Sequence, residues 1–307
     1  MDFLYILEKM RQPGLNEFML LITRLGEETA FLVIALIVFW CVDKKKGYFL
    51  MAVGFAGTII NQFLKLLFRI PRPWVLDPNF TILEQAREAA AGYSFPSGHT
   101  QMAVGTFGSI AAVTKKRSVA VLCVALAALV AFSRMYIGVH TPADVLTSVV
   151  IADALILLLK PIAARWDLPQ MKLVIAGMLL MALGLLLFVE YYPLGEVDAH
   201  NLASGMKNAF TMQGCLTGVA VVYLAERRFV NFETKAVWWA QILKVILGLG
   251  LVLLVKEGLR TPLEAVMPVY AARSVRYFLI VAAAGFVWPM TFRWFGKLGV
   301  KHELRNH

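Results

Sequence analysis

Residues 118–159 read SVAVLCVALAALVAFSRMYIGVHTPADVLTSVVIADALILLL, and this run decides the fold class. Its two apolar stretches, 118–137 and 141–159, are each about as long as a helix needs to be to cross a hydrocarbon core of about 30 Å. In lipid every backbone polar group must be satisfied within its own segment, so both stretches are expected to be helices. The short turn between them carries Arg134, His140 and Asp144. Ionisable groups cost free energy in such surroundings and usually serve function. Thr141 can cap the second helix, and Pro142 suits its first position. Asp144 then falls in the first turn, within reach of His140, and a histidine oriented by a carboxylate is the pattern of an activated nucleophile. Taken alone, the stretch fits a capped helix start with a satisfied histidine equally well.

The same texture extends along the chain. Of 307 residues, 59% are hydrophobic and 16% charged, whereas soluble domains carry about 25% charged residues. With a mean hydropathy of +0.69, the chain is expected to be an all-α polytopic membrane bundle. Nine transmembrane helices are expected, near 29–42, 47–68, 99–114, 118–137, 141–159, 173–189, 208–225, 236–255 and 273–292. The first has a short charge-free run and is expected to begin earlier, with Arg24, Glu27 and Glu28 near the interface. Residues 1–12 lack the uninterrupted apolar core of a cleavable signal and read as an amphipathic helix lying on the membrane surface. Cys41, Cys123 and Cys215 all fall inside apolar runs, so they read as packing and not as a disulfide framework or metal cluster.

The net charge of +10 is distributed as a membrane protein would distribute it, and no nucleic-acid partner is expected. One set of connections holds 16 Lys and Arg: residues 44–46, 115–117, 160, 165, 172, 227, 228 and 235, with 293, 297, 301 and 305 in the tail. The opposite set holds 13. By the positive-inside rule the first set is cytoplasmic, which places the N-terminus outside and the C-terminus inside. The longest outer connection is 70–95, with Pro71, Pro73, Pro78 and a short helix expected around 81–91. Long connections in compact folds tend to be functional. A second outer connection, 190–207, is acidic and includes His200.

Three polar clusters meet on the outer face in this topology. Lys65 and Arg69 stand one turn apart at the end of the second span, and Pro71 breaks the helix so that Arg72 can turn inward. Pro96-Ser97-Gly98-His99 opens the third span, where Ser97 can cap the helix and Gly98 lets a ligand approach the backbone. The N–H groups of such a helix start favour an anion. Read singly, these two clusters fit interfacial anchors and an ordinary cap. With Arg134, His140 and Asp144 they place three cations, two histidines and a helix N-terminus around one point. Arg forks suit phosphate oxygens. In-line phosphoryl transfer asks mainly for charge stabilisation and positioning, plus a nucleophile and a proton donor.

Lys65-x6-Arg72-Pro73, Pro96-Ser97-Gly98-His99 and Ser133-Arg134-x5-His140-x3-Asp144 together resemble the three-part signature of the type 2 phosphatidic acid phosphatase superfamily. All eleven positions are present in order, and three motifs in register are far more specific than one. The resemblance implies a metal-independent phosphatase without cofactor that works through a phosphohistidine. His140 would be the nucleophile, Asp144 would orient it, and His99 would be the general acid and base. Lys65, Arg72, Ser97, Gly98 and Arg134 would bind the phosphate. It also divides the chain into an interfacial segment (1–25), a phosphatase core (26–165), and further C-terminal helices with a basic cytoplasmic tail (166–307).

The expected substrate is a membrane lipid, an isoprenyl diphosphate first and a phosphatidyl phosphate second, met at the extracytoplasmic face of a cell (inner) membrane. The nine-span layout is also similar to that of glucose-6-phosphatases, so a sugar phosphatase or a phosphotransferase using the same site is the alternative. A non-catalytic lipid transporter or scramblase is the alternative of another class. Asp153, nine residues past Asp144, falls on the opposite helix face at about 100° per residue. Lys244 is expected to pair with an acid such as Asp153 or to snorkel. Trp238, Trp239, Trp288 and Trp294 read as interfacial belts. Arg260, Arg273 and Arg276 read as anchors or as headgroup contacts, while His302 and His307 are incidental to a basic tail.

Overall fold

The computed structural model describes residues 1–164, 168–192 and 198–298. Arg165, Asp167 and the tail with Lys301, His302, Arg305 and His307 lie outside the described residues. Among the described residues there are helices and turns and no strand. In chain order the helices are α1 (Asp2–Lys9), α2 (Pro13–Thr23), α3 (Glu28–Ile37), α4 (Lys44–Phe68), α5 (Pro73–Leu76), α6 (Gly98–Ala103), α7 (Ser109–Val113), α8 (Arg117–Tyr136), α9 (Pro142–Ala164), α10 (Leu168–Tyr191), α11 (Ala199–Ala225), α12 (Trp238–Gly258), α13 (Arg260–Val266), α14 (Val269–Ala282) and α15 (Phe292–Phe295).

Among the described residues seven helical stretches are long and apolar enough to cross a membrane. An eighth counts if Pro13–Gly26 and Glu28–Val42, bent by 56° at Glu27, form one broken span. Glu27 is extended between them, so the charges expected near the interface mark a break in the helix. The remaining difference from nine lies in α6 and α7, which a π turn joins into a run of 16 residues, Gly98 to Val113. That is about 24 Å of helix, short of the roughly 30 Å core. The helix α11 also begins nine residues before its apolar run. Asp198 accepts the Asn201 amide at 2.9 Å and starts the helix in polar sequence that hydropathy reads as loop. The expected helix around 81–91 is instead two 3-10 turns, Glu84–Ala86 and Glu88–Ala90. Here tertiary bonds outrank helix formation, because the Leu83 amide donates to the Ile137 carbonyl and Thr81 is held by Glu8.

The chain forms two compact units. The first comprises Met1–Ile34, Phe49–Arg165 and Leu187–Asn208. In it α6 and the π turn that follows it pack on both α8 and α9, through Ala103, Val104, Phe107, Cys123, Ala127, Val130 and Ala152. Small side chains at these contacts let the helices approach closely. A second cluster clamps the turn after α8, where Tyr136, Ile137 and Val139 are buried against Met19, Ala86 and Ala90. Leu4 of α1 packs on Phe80 and Ile82 of the long connection. On α9, Leu146, Val150, Leu157 and Leu158 are exposed, the outward apolar face that a helix in lipid presents. Asp153 is exposed as well, while Asp144 is buried.

The second unit comprises Ala35–Tyr48, Trp166–Leu186 and Ala209–His307. Lys244 is buried there and donates to the carbonyls of Trp40 and Thr234, both at 3.1 Å, with its ammonium over the Phe292 ring. Backbone carbonyls thus take the place of both alternatives expected for it, an acid partner and snorkelling. Lys44 and the buried Glu226 pair at 3.0 Å. Trp238 and Trp294 are exposed. None of the three cysteines is in a disulfide.

Candidate active site

Four local devices aim the polar side chains. Lys65 stands in the last turn of α4, and Arg69 then takes a positive φ of 52°, which ends the helix and turns the chain toward Pro71. Arg72 becomes the extended residue before α5, with Pro73 at the first helical position. The end of α8 closes in a Schellman motif. Gly138, at φ +88°, donates to the Met135 carbonyl at 3.0 Å, and Val139 donates to the Arg134 carbonyl at 3.2 Å. The His140 amide also reaches the Arg134 carbonyl, at 3.3 Å. The start of α9 is a capping box, in which Thr141 Oγ1 accepts the Asp144 amide at 3.3 Å and Asp144 Oδ2 accepts the Thr141 amide at 2.8 Å. Finally, Ser97 caps α6 by accepting from the Thr100 amide and hydroxyl, at 3.4 and 2.9 Å.

These devices bring Lys65, Arg72, Gly98, His99, Arg134 and His140 onto the wall of one cavity of about 340 Å³. Ser97 and Asp144 are buried and do not line it. The Ser97 hydroxyl serves the cap, and its amide donates to the Asp144 carbonyl at 3.1 Å. The three cations are held by neutral oxygens. Lys65 donates to the Tyr93 and Ser94 carbonyls. Arg72 donates to the carbonyls of Ala91, Gly92 and Val139, each at 3.0 Å. Arg134 donates to Thr23 Oγ1 at 2.6 Å, and its Nε has no hydrogen-bond partner among the described residues. Glu27 and Glu28 also line the cavity.

The tautomer of His140 follows from its neighbour. Nε2 lies 2.9 Å from Arg72 Nη1, and a guanidinium only donates, so Nε2 is the acceptor and carries no proton. Burial pushes this imidazole well below its ordinary value, and Arg72, Arg134 and Lys65 act in the same direction. The ring is therefore neutral, with its proton on Nδ1 facing Asp144 Oδ2 at 3.4 Å. At that distance Nδ1 makes no hydrogen bond among the described residues, and Oδ2 already accepts two shorter bonds, from the Thr141 amide and from Ser94 Oγ at 2.6 Å.

Several residues of the site stand outside the three motifs. Ser94 and Thr23 hold Asp144 and Arg134. Arg11 donates to the Tyr136 carbonyl at 3.0 Å and to the Thr81 carbonyl at 2.9 Å, capping the C-terminal end of α8. Thr58, Asn61, Gln62 and Gln101 line the cavity. The sequence signal for Gly138 was present, a glycine just past a helix end, whereas the others depend on distant partners. Arg260, Arg273 and Arg276 do not line the cavity; Arg260 lies 3.7 Å from Glu264, and Arg273 donates to Thr211 at 2.6 Å. Among the described residues no three His, Cys, Asp or Glu side chains converge as a metal site requires.

Residues 45–167 match the PAP2 superfamily, and residues 210–301 match the transmembrane extension of PAP2 superfamily phosphatases. The chain is 34% identical over 124 residues to undecaprenyl-diphosphatase BcrC of Bacillus subtilis, covering 40% of this chain and 61% of that protein. It is 30% identical over 152 residues to phosphatidylglycerophosphatase B of the same organism, covering 45% and 70%. It is 28% identical over 134 residues to an undecaprenyl-diphosphatase of Sulfolobus acidocaldarius, covering 43% and 63%. The matched part thus spans less than two thirds of the first and third of these relatives. No solved structure matches the chain. All three motifs lie inside the first matched region and their cations and histidines share one cavity; this multi-pass membrane protein belongs to the type 2 phosphatidic acid phosphatase (PAP2) superfamily.

Proposed function

We propose that the protein is a membrane phosphatase that hydrolyses a lipid phosphate or diphosphate, without metal, through a phosphohistidine on His140. The observation that carries this reading is the unprotonated Nε2 of His140, buried on a cavity wall beside Arg72. A phosphoryl group entering there takes the Arg72 donor onto its own oxygen and frees the Nε2 lone pair to attack phosphorus. Lys65, Arg134 and the amides at the start of α6 meet the remaining oxygens, where the helix N-terminus adds positive potential. As the P–O bond breaks, His99 gives its proton to the leaving oxygen. The phosphorylated His140 imidazole is then cationic, and its Nδ1–H turns to Asp144. Water next attacks phosphorus, the P–N bond breaks with its electron pair returning to Nε2, and the water's proton passes to His99.

The relatives' names favour an isoprenyl diphosphate as substrate, with a phosphatidyl phosphate second. The basic connections favour a site facing the extracytoplasmic side of the cell membrane. Detergent-solubilised protein with chelator present is expected to release inorganic phosphate from such lipids faster than from sugar phosphates. His140→Ala is expected to reduce the release by roughly 10³-fold or more. Undiminished release by that variant would refute the mechanism. Faster turnover of sugar phosphates would refute the substrate class.

A further inference from the structure

The cavity continues past the cations. On α4 the side chains of Lys65, Gln62, Asn61 and Thr58 all line it, at three-, four- and seven-residue steps along one helix face. The lining therefore extends about 10 Å along the helix axis from Lys65. Across from α4, Gln101 of α6 fits because position 57 is glycine; a Cβ there would strike the Gln101 carboxamide.

Three side chains on this wall carry buried polar atoms without a hydrogen-bond partner among the described residues. Gln101 is 3% exposed, and neither end of its carboxamide has a hydrogen-bond partner among the described residues. Asn61 is 1% exposed; its Nδ2 donates to the Pro96 carbonyl at 3.3 Å, while its Oδ1 has no partner among them. His99 Nε2 is in the same position. Native proteins satisfy the large majority of buried polar atoms, so a cluster of unsatisfied ones on one cavity calls for a hydrogen-bonding ligand. A lipid tail offers no donors or acceptors. A phosphoryl group offers only acceptors, which the Asn61 carbonyl would repel. Whichever way round the Gln101 amide lies, it presents N–H donors and an acceptor oxygen, and a water, which both donates and accepts, meets them together with the Asn61 acceptor beside it.

We propose that Asn61 and Gln101, with His99, hold the hydrolytic water of the second half-reaction, an inference that rests on the phosphohistidine reading above. The water oxygen bonds to phosphorus as the P–Nε2 bond breaks. The electron pair returns to His140, and His99, one residue from the Gly98 amide and two from Gln101, accepts the proton.

The test uses full-length protein in detergent, a lipid phosphate labelled in its phosphorus, and quenching in alkali, which preserves phosphohistidine. Gln101→Met and Asn61→Leu keep the side-chain size and remove the water ligands. Each is expected to form labelled enzyme at close to the wild-type rate and to release phosphate about 10- to 100-fold more slowly, so that labelled enzyme accumulates. Wild-type turnover in both variants would overturn the proposal, as would equal loss of labelling and turnover. Gln101→Met is expected to melt close to the wild-type temperature, because the Gln101 amide makes no hydrogen bond to the described residues, whereas Asn61→Leu also gives up its bond to the Pro96 carbonyl and is expected to melt lower. A clear drop in Gln101→Met would assign that amide to packing and overturn the proposal too. If no label is trapped in any protein, wild type included, the phosphohistidine reading itself has failed and this inference falls with it.

Discussion

Asp144 Oδ2 faces three donors, and only two of them are close. The Thr141 amide and Ser94 hydroxyl sit at 2.8 and 2.6 Å, while His140 Nδ1 waits at 3.4 Å. The carboxylate is thus fixed independently of His140, and in the proposed mechanism the imidazole is drawn in when it becomes cationic. Because burial and the surrounding cations lower the His140 value, the proposed nucleophile stays neutral through the ordinary imidazole range. The acid limb of kcat/KM is therefore expected below that range, with activity falling only as the pH drops through the lowered value. Ser94→Ala removes a hydrogen bond to a charged group, and kcat/KM is expected to fall about tenfold. The less neutralised carboxylate then attracts the imidazolium more strongly, moving the acid limb to higher pH. A fall in rate with an unmoved limb would show that Ser94 does not act through Asp144 on His140. The motif residues were legible because their types and spacings state a chemistry. Ser94 was not, since nothing about a serine two residues before Pro96 announces a carboxylate 50 positions away.

Elements fix where these residues stand. His140 follows a Schellman turn whose geometry depends on Gly138, with φ at +88°. A Cβ there would also come within 2.7 Å of Arg11 Nη2. Gly138→Ala is expected to cost about 1–2 kcal/mol in backbone conformation alone, to lower the melting temperature, and to reduce kcat/KM by displacing His140, the proposed nucleophile. Thermal unfolding together with steady-state kinetics measures both. A variant with wild-type stability and rate would mean that the turn does not hold His140 in place. Sequence periodicity located α4, α8, α9, α10, α12 and α14 well, because long apolar runs in lipid leave the backbone no alternative. It placed the start of α11 too late, since hydropathy weighs side chains and a capped helix can begin in polar sequence. It counted 99–114 as a span because the run is apolar. The 16 residues of helix there reach the site from Ser97 without the length of a full crossing.

At the scale of the molecule, orientation rests on where the basic connections fall. Glu88 is exposed in the connection assigned to the outside and Lys45 in one assigned to the inside. A membrane-impermeant maleimide is expected to label Glu88→Cys in intact cells and Lys45→Cys only after lysis. Cys123 and Cys215 are buried and Cys41 is half-buried, so background labelling is expected to be low. The opposite labelling pattern would invert the topology and move the site to the cytoplasmic face.

The grip of Lys65 and Arg72 on residues 91–94 has a consequence for how such a protein can change over generations. These bonds end on main-chain carbonyls, which every amino acid supplies. Side chains at Ala91 and Tyr93 are thereby released from holding the cations. Both border further cavities beside the site, so a change of side chain at either would reshape those cavities while the carbonyls that hold Lys65 and Arg72 stay in place. Cavity shape and cation positioning are in this way written on separate atoms of the same residues.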